Sequence, residues 1–532
     1  MYRSIVMAPA HGRRVVPFAA ILTALVLLWF GLSALATPFD HDESQYIAGA
    51  YFSGRMTIFR DFLYLQPPLH AWIFAPISLA FPDNMVVAMR LVSAAIAVAT
   101  LGLLWAAQRA AGVSRDSAAI ATVLIGTTAA FQFAGAVVRN DMLPTLLCAA
   151  AMIGALRALR EPRPIHWGVA GLFFGLAIAA KLSFAPVGIA AGLFVLTQGG
   201  LGQGGRCCIR ATSWLAGGAI LGMGPLFVSW AMAPDAFFYG VVTFAVTGPF
   251  AWYAANGASA DLTLAEKVAD LLKFLVRGPA IAALLLVMLG WRRTRAPRRA
   301  PGRRLAQWML CGGLLGAALP TPTHVQYLMP LLPPLALALG YLLDDARHWR
   351  SFAREATLGL LCLFALPGLA EASIHMATMA RDGSPILAAR EGAQHARMLV
   401  RRLSGDDRVV TLSPHHIIDA GLELDPRFAA GPFVYRTGWT MTEALARKVN
   451  AMTPATLKDL DRNPPDAILV GYEDGTRKLP MRPDDSLIAY ARSRAYRMIG
   501  LPDGQGKLYI KTRQSVLHPR NILPSLRPRL PN

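Results

Sequence analysis

The chain has 532 residues, of which 54% are hydrophobic and only 16% are charged, and its mean hydropathy is +0.41. An ordinary soluble domain carries about 25% charged residues, so this composition excludes a typical soluble enzyme and a disordered protein. The formal net charge is nevertheless +20. In a soluble protein such a surplus would indicate nucleic-acid binding, so the position of the charges along the chain becomes the question.

Long apolar segments predict an α-helical polytopic membrane protein. About 20 apolar residues cross a hydrocarbon core of ~30 Å, and on this criterion we predict about eleven transmembrane helices. They lie at 15–37, 85–108, 117–136, 141–159, 166–181, 183–198, 212–232, 270–291, 305–320, 325–343 and 356–373. Segment 15–37 also resembles a cleaved signal peptide, because Arg13 and Arg14 precede it and Ala34-Leu35-Ala36 ends it. Its long apolar run favours a retained helix.

The basic residues orient these helices. If the N-terminus is cytoplasmic, the inner loops carry 20 arginines. The outer loops before residue 374 carry five basic residues, namely Arg55, Arg60, Arg139, Lys181 and Lys267. This asymmetry is the positive-inside pattern, so most of the surplus sets topology, and we predict no nucleic-acid partner. The apolar segments 66–81 and 236–254 would turn arginine-rich loops outward if they crossed, so we expect them to be interfacial or re-entrant.

The domain organisation follows from where the apolar segments end. Residues 1–373 form the predicted transmembrane domain, and its first outer loop is 38–84. Residues 374–518 are predicted to form a small extracytoplasmic α/β domain. Its predicted strands lie at 408–412, 467–471 and 507–511, and its predicted helices lie near 386–404 and 440–460. The Pro-rich segment 519–532 is predicted to be a disordered tail.

The first outer loop carries the densest polar group of the chain. It reads Asp40-His41-Asp42-Glu43-Ser44-Gln45-Tyr46, directly after the first predicted span. Three carboxylates and a histidine are costly beside lipid and therefore indicate function. The alternative is structural, since acidic residues also cap the N-terminus of a helix beginning near Thr37 or Asp40.

Other polar residues are predicted to lie on the same side of the membrane. The candidates for binding a donor or an acceptor are Glu43, Tyr46, Asp61, Gln66, His70, Arg139, Asp141, Lys181, His324, Gln326 and Tyr327. For Arg139 and Lys181 the alternative is snorkelling to the interface. Asp40, Asp42, Glu43 and His324 could supply ligands to a divalent metal ion. Adjacent acidic side chains on a helix point apart, so the sequence does not decide whether a metal ion binds. No other cofactor is predicted.

These motifs resemble the C-type glycosyltransferases (GT-C), specifically the protein-mannosyltransferase and lipid A aminoarabinose-transferase group. The resemblance covers most of residues 15–345 and rests on the order and spacing of several short motifs. They are Asp42-Glu43-x-x-Tyr46, Asp61, Pro67-Pro68-Leu69-x-x-Trp72, Arg90, Arg139-x-Asp141 and Tyr327-Leu328-x-Pro330-Leu331-x-Pro333-Pro334.

The resemblance implies a reaction and a location. A sugar carried on a polyprenyl phosphate passes to an acceptor hydroxyl of a lipid, glycan or protein, with inversion in one displacement. The enzyme is expected in the bacterial inner membrane, with its C-terminal domain in the periplasm. The resemblance implies that Asp42 is the general base. This role suits a carboxylate within reach of the attacking hydroxyl. The leaving phosphate is an anion that needs cations, for which Arg139 and Lys181 are the candidates.

Two departures from the aminoarabinose-transferase branch concern the donor. That branch has a basic residue after the Asp-Glu pair and another before Pro-Pro, whereas this chain has Gln45 and Gln66. The first loop therefore offers the phosphate neutral side chains. The reaction class is retained because other members of the wider group also carry glutamine at the first position, but an aminoarabinose donor is not supported.

Three other classes compete with a glycosyltransferase. A transporter or flippase of lipid-linked sugars would show internal repeats and polar residues near mid-membrane, whereas here the polar residues gather at one surface. A polymerase or ligase using diphosphate-linked oligosaccharides would rely on a large late outer loop rich in arginine and histidine. A non-catalytic scaffold would not need Asp42-Glu43 together with Pro67-Pro68.

Overall fold

The structure is a computed structural model that describes residues 12–197, 205–290, 300–473 and 480–512. The predicted tail at 519–532 lies outside this part of the chain. Residues before the sheet form a helical bundle. In chain order its helices are α1 (Gly12–Ala36), α2 (Glu43–Ser53), α3 (Leu69–Ala80), α4 (Met85–Ala110), α5 (Arg115–Gly126), α6 (Ala129–Ala136), α7 (Met142–Arg160), α8 (Pro164–Ala180), α9 (Ala185–Thr197), α10 (Gly205–Gly222), α11 (Gly224–Met232), α12 (Pro234–Phe238), α13 (Phe244–Ala255), α14 (Leu264–Leu275), α15 (Ala280–Gly290), α16 (Ala300–Ala318), α17 (Leu332–Ala346) and α18 (Ser351–Asp382).

The polytopic helical fold predicted from the sequence is confirmed, and each of the eleven predicted spans falls on helix. Within the described residues, five helical segments are long and apolar enough to cross a membrane, and three bent pairs raise this number to eight. The five are Met85–Ala110, Met142–Arg160, Pro234–Ala255, Val325–Ala346 and Ser351–Asp382. Because Pro234–Ala255 qualifies, the interfacial position predicted for 236–254 stays a prediction. Helix α3 has 12 residues and is about 18 Å long, too short to cross.

Three of the predicted spans are bent at a break between two helices. The axes of α10 and α11 differ by 44°, those of α5 and α6 by 70° and those of α14 and α15 by 93°. The breaks between α5 and α6 and between α14 and α15 are the sharpest. The two breaks touch each other, because the Ala129 N–H donates to the Arg277 carbonyl at 2.9 Å. Gly278 has φ +133°, and a Cβ there would lie 2.7 Å from the Thr128 Cα. The approach of the two segments therefore requires glycine at 278, and the predicted spans 117–136 and 270–291 each consist of two helices.

The C-terminal part is a small α/β unit, as predicted. It contains α19 (Pro385–Leu403), α20 (Pro432–Tyr435), α21 (Glu443–Lys448) and α22 (Asp485–Ser493), with strands β1 (Arg408–Thr411), β2 (Glu423–Leu424), β3 (Ala467–Val470), β4 (Arg497–Gly500) and β5 (Lys507–Ile510). The strand order is β2-β1-β3-β5-β4. Strand β1 is parallel to β2 and β3, whereas β5 is antiparallel to β3 and β4. The three strands predicted from the sequence correspond to β1, β3 and β5.

The sheet domain packs directly on the first loop of the membrane domain. One hydrophobic core joins Ile47 and Phe62 of that loop to Val400 and Leu469 of the sheet domain. The Asp419 carboxylate also accepts hydrogen bonds from the first amides of α4, at 2.8 Å from Met85 N. Such a carboxylate satisfies backbone donors that a helix start leaves unpaired. The C-terminal domain is thereby held over the end of the bundle that carries Asp42.

Candidate active site

A cavity of about 380 Å³ opens where the first loop, the bundle and the sheet domain meet. Seven of the residues predicted for the site line it. They are Asp42, Tyr46, Gln66, Arg139, Lys181, His324 and Tyr327. These side chains come from α2, the segment before α3, the α6–α7 and α8–α9 connections and the turn before α17. The fold therefore gathers polar residues that are far apart in the sequence.

The start of α2 presents the Asp42 side chain to this cavity. Asp42 occupies the N-cap position, but its side chain makes no capping hydrogen bond. The neighbouring acids serve the backbone instead. The Asp42 N–H donates to the Asp40 carboxylate at 3.1 Å, and the Asp40 N–H donates to Glu43 at 2.9 Å. The helix-cap alternative therefore does not account for Asp42, whose side chain lines the cavity instead.

Two basic side chains hold the Asp42 carboxylate ionised. The Arg139 Nη1 atom lies 2.7 Å from Asp42 Oδ2, and the His41 Nδ1 atom lies 3.7 Å from Oδ1. Burial on its own would raise the pKa of Asp42. Arg139 and His41 outweigh that effect and hold the pKa well below its ordinary value of 3.8. At neutral pH this group is a carboxylate, the form that accepts a proton.

Arg139 and Lys181 are buried in a network of carboxylates. Arg139 pairs with Asp40 and Asp42 and donates through Nε to Asp141 at 3.2 Å. The Lys181 ammonium group pairs with the other oxygen of Asp141. The side chains of Arg139 and Lys181 are 2% and 9% exposed. A snorkelling side chain keeps its charged end in water, so snorkelling does not describe either residue.

Glu43 lies behind the site rather than in it. Its carboxylate forms an ion pair with Arg90 of α4, and both side chains are fully buried. Arg90 also donates to the Ala34 and Thr37 carbonyls at 2.9 and 2.6 Å. Glu43 accepts a further bond from the Val138 amide at 2.8 Å. The pair thus ties α1, α2, α4 and the approach to Arg139 together, which is a positioning role rather than the ligand-binding role predicted.

The other predicted residues lie around the cavity without lining it. Asp61 accepts from the Thr57 amide at 2.7 Å and pairs with Arg60. His70 is buried and stacked on Phe74. Burial lowers the pKa of His70 to about 3, so its ring is neutral. Asp141 contacts the cavity through its two cations, and Gln326 is buried in the turn before α17.

The candidate metal ligands do not form a site in this structure. Within residues 12–197, 205–290, 300–473 and 480–512, no three histidine, cysteine, aspartate or glutamate side chains come together as a metal-binding group. Asp40 and Asp42 both face Arg139, and Glu43 faces Arg90. Each of these three carboxylates is thus paired with a guanidinium group.

Several residues of the cavity were not anticipated from the sequence. The C-terminal domain contributes Phe433, Arg436 and Thr437, and α13 contributes Trp252 and Tyr253. No motif distinguishes these residues in the sequence, because their place depends on how the sheet domain docks.

A second contact between the domains involves His41 and is expected to depend on pH. The His41 Nε2 atom lies 2.8 Å from the Glu473 carboxylate. Burial favours neutral His41, but Asp42 and Glu473 outweigh it and raise the pKa above 6.5. Burial likewise opposes ionised Glu473, but His41 outweighs it and lowers the pKa below 4.5.

The substitution Glu473→Gln should therefore lower thermal stability most between pH 4.5 and 6.5. The His41 contribution is complete below pH 6.5 and is lost as the pH rises through the raised folded-state value. The Glu473 contribution is complete above pH 4.5 and is lost as the pH falls through the lowered value. A loss of about 1.5–3 kcal/mol is expected in that window, as for a hydrogen bond to a charged group. Melting temperatures of the variant and of Glu423→Gln, an exposed control, would be measured across pH. A deficit that does not vary with pH would contradict this account.

The architecture and the cavity together define a class. A polytopic helical bundle, with an Asp-Glu pair at the start of its first loop helix and a small α/β domain over that loop, has the fold of the C-type membrane glycosyltransferases. Residues 65–230 match the family model described as dolichyl-phosphate-mannose-protein mannosyltransferase. The resemblance identified from the sequence motifs is thus confirmed.

Two crystal structures of ArnT from Cupriavidus metallidurans share this fold over nearly the whole chain. The structure bound to undecaprenyl phosphate has a TM-score of 0.60 at 14% identity and covers 95% of this chain and 99% of its own. The apo structure has a TM-score of 0.61 at 13% identity and covers 94% of this chain and 99% of its own. No curated protein sequence matches the chain.

Proposed function

We propose that this protein is a membrane glycosyltransferase that moves a sugar from a polyprenyl phosphate to an acceptor hydroxyl. The acceptor belongs to a lipid, a glycan or a protein. The observation that carries the proposal is the Asp42 carboxylate, 2.7 Å from Arg139 in a cavity that Arg139 and Lys181 also line. A base for the incoming hydroxyl and cations for the outgoing phosphate are thus in one place.

The reaction divides between these groups. Asp42 takes the proton of the acceptor hydroxyl as the oxygen bonds to the anomeric carbon. The bond from that carbon to the phosphate oxygen breaks, and its electron pair leaves with the polyprenyl phosphate. Arg139 and Lys181 stabilise the charge that develops on the phosphate. The acidic network that holds both cations fixes their positions before the substrate binds.

The number of carboxylates supports an inverting single displacement. Among the residues that the structure describes, Asp42 is the one carboxylate that lines the cavity. Retention through a covalent intermediate uses a second carboxylate as nucleophile. One carboxylate suffices when the acceptor attacks the anomeric carbon directly, so we expect inversion.

Apolar residues in the cavity lining suit a lipid-linked donor. Val241, Phe244, Pro249 and Leu319 add an apolar lining to the polar group, and such a surface suits a prenyl chain. The similar fold of ArnT binds undecaprenyl phosphate, which supports the same class of carrier here. Gln66 lines the cavity as a neutral residue and accepts a hydrogen bond from Asn140 at 2.9 Å, which does not favour an aminoarabinose donor.

The distribution of arginines supports the proposed location. With the arginine-rich loops in the cytoplasm, Asp42 and the C-terminal domain lie on the opposite side of the membrane. In a bacterium we therefore expect the reaction at the periplasmic face of the inner membrane. A polyprenyl carrier suits that compartment, because the sugar arrives already activated on a lipid.

A deletion strain tests the proposal. Its lipid extract should contain an accumulated polyprenyl-phosphate sugar whose mass identifies the donor, and the wild-type gene should remove it. A gene encoding Asp42→Asn should leave the lipid in place, although the variant protein is present in the membrane. If no such lipid accumulates, or if Asp42→Asn removes it as efficiently as the wild type, the proposal is wrong.

A further inference from the structure

The cavity contains a cation that comes from the C-terminal domain. Arg436 follows helix α20 and lines the cavity together with Arg139 and Lys181. Its backbone is placed by the approach of this domain to α2. Gly431, with φ +60°, is so close to α2 that a Cβ there would lie 2.8 Å from the Ser44 Oγ. Helix α20 begins immediately afterwards, and the Arg436 N–H donates to the Pro432 carbonyl at 2.9 Å.

Two aromatic rings orient the Arg436 side chain. Its guanidinium carbon lies 4.5 Å from the centre of the Trp252 ring and 4.8 Å from the centre of the Phe433 ring. Trp252 belongs to α13 of the membrane domain and Phe433 to α20, so the contact spans the two domains. Such cation–π contacts fix the position of a guanidinium group. A guanidinium group carries N–H donors in a planar fork that matches the oxygens of phosphate, so Arg436 has the chemistry for bidentate binding of phosphate.

The charge balance of the site shows why a further cation is needed. The acids Asp40, Asp42 and Asp141 contact the cations Arg139 and Lys181. These five groups carry a formal charge of −1 in total, so the cluster has no net positive charge to offer an anionic donor. Gln66 adds no charge. Arg436 adds a positive charge to the same cavity, and this charge also acts on His41 and Glu473 at the contact between the domains.

The need for the cation increases during the reaction. A sugar attached to a polyprenyl phosphate leaves the phosphate with one negative charge, and departure of the sugar leaves it with about −1.5 to −2. An interaction that strengthens as this charge develops lowers the barrier to transfer. We infer that Arg436 of the C-terminal domain binds the phosphate of the polyprenyl-phosphate donor alongside Lys181. This inference rests on the proposed function and makes the C-terminal domain part of the donor site.

The test compares binding of undecaprenyl phosphate and of undecaprenol, which lacks the phosphate, to the full-length protein in detergent. In Arg436→Gln the affinity for undecaprenyl phosphate should fall about 10–100-fold, as for loss of a charged hydrogen bond. The affinity for undecaprenol should not change. Arg436→Lys should recover part of the lost affinity, because it keeps the charge but not the bidentate geometry. Arg447→Gln, an exposed substitution in the same domain, is the matched control.

The two ligands separate the outcomes. An equal loss of affinity for both would show that Arg436 only holds the domains together, and this would overturn the inference. Unchanged affinity for undecaprenyl phosphate in Arg436→Gln would also overturn it. If the wild-type protein does not prefer undecaprenyl phosphate to undecaprenol, the proposed function itself fails. Should Arg436→Gln fold poorly, Arg436→Leu provides the same comparison with more apolar contact retained against Trp252.

Discussion

Replacing Asp42 by Asn should lower the rate of sugar transfer about 10²–10⁴-fold, the usual contribution of a general base. The amide has nearly the same shape but does not accept the acceptor proton. Arg139 keeps its contacts with Asp40 and Asp141, so the fold and the donor affinity should change little. The measurement is single-turnover transfer from a polyprenyl-phosphate sugar, together with the dissociation constant of the donor.

Asp83→Asn provides the matched control for Asp42→Asn. Asp83 lies in the same loop, but its side chain is 64% exposed and its ion-pair partner is Arg397, at 3.7 Å. The control should transfer sugar at the wild-type rate. If Asp42→Asn turned over as fast as Asp83→Asn, Asp42 would not be the base. A large loss of donor affinity in Asp42→Asn would instead assign the carboxylate to binding.

The second large effect is expected at the Glu43–Arg90 pair. Arg90→Met would leave the Glu43 carboxylate buried without its counter-ion, and both side chains are 0% exposed. Breaking such a pair costs about 3–5 kcal/mol. The Ala34 and Thr37 carbonyls also lose their donor. We expect a markedly lower melting temperature in detergent, with transfer lost as α2 and the Arg139 segment shift.

A double substitution distinguishes charge from packing at this pair. Arg90→Met combined with Glu43→Leu removes both charges and should recover a substantial part of the lost stability, because no isolated charge remains buried. The exposed substitution Arg60→Met serves as the control and should leave the melting temperature unchanged. If Arg90→Met melted like this control, the pair would not hold the first loop in place.

The sequence was sufficient for the class of fold because the signals that determine it are local. Apolar length predicts a membrane helix from its own residues, and every predicted span falls on helix. The strand-like runs became β1, β3 and β5, since each is a buried apolar stretch. The breaks at Thr128 and Gly278 were missed because they arise from contact between two distant segments. Helix α18 continues to Asp382, beyond the domain boundary that we predicted between residues 373 and 374. The position of this boundary stays a prediction.

The order of the motifs predicted which residues of the membrane domain come together at the candidate site. It did not predict the residues that reach the site because the C-terminal domain packs on the membrane domain. Asp42, Arg139 and Lys181 line one cavity, and their roles in the reaction stay predictions. Glu43 was predicted to bind a ligand, yet it pairs with Arg90, and only the packing of α2 on α4 reveals this. Arg436 and Phe433 come from the C-terminal domain. Their role depends on how that domain packs against the membrane domain, and no local sequence pattern predicts this packing.

The most direct test of the central claim uses the purified protein in lipid nanodiscs, where a sugar lipid cannot cross between two compartments. A polyprenyl-phosphate sugar is supplied together with an acceptor extract from the deletion strain. We predict that wild-type protein releases free polyprenyl phosphate in equal amount to the glycosylated acceptor, with the anomeric configuration inverted, and that Asp42→Asn releases neither. Binding of the donor without cleavage of its sugar–phosphate bond would contradict the account and favour a transporter of lipid-linked sugars.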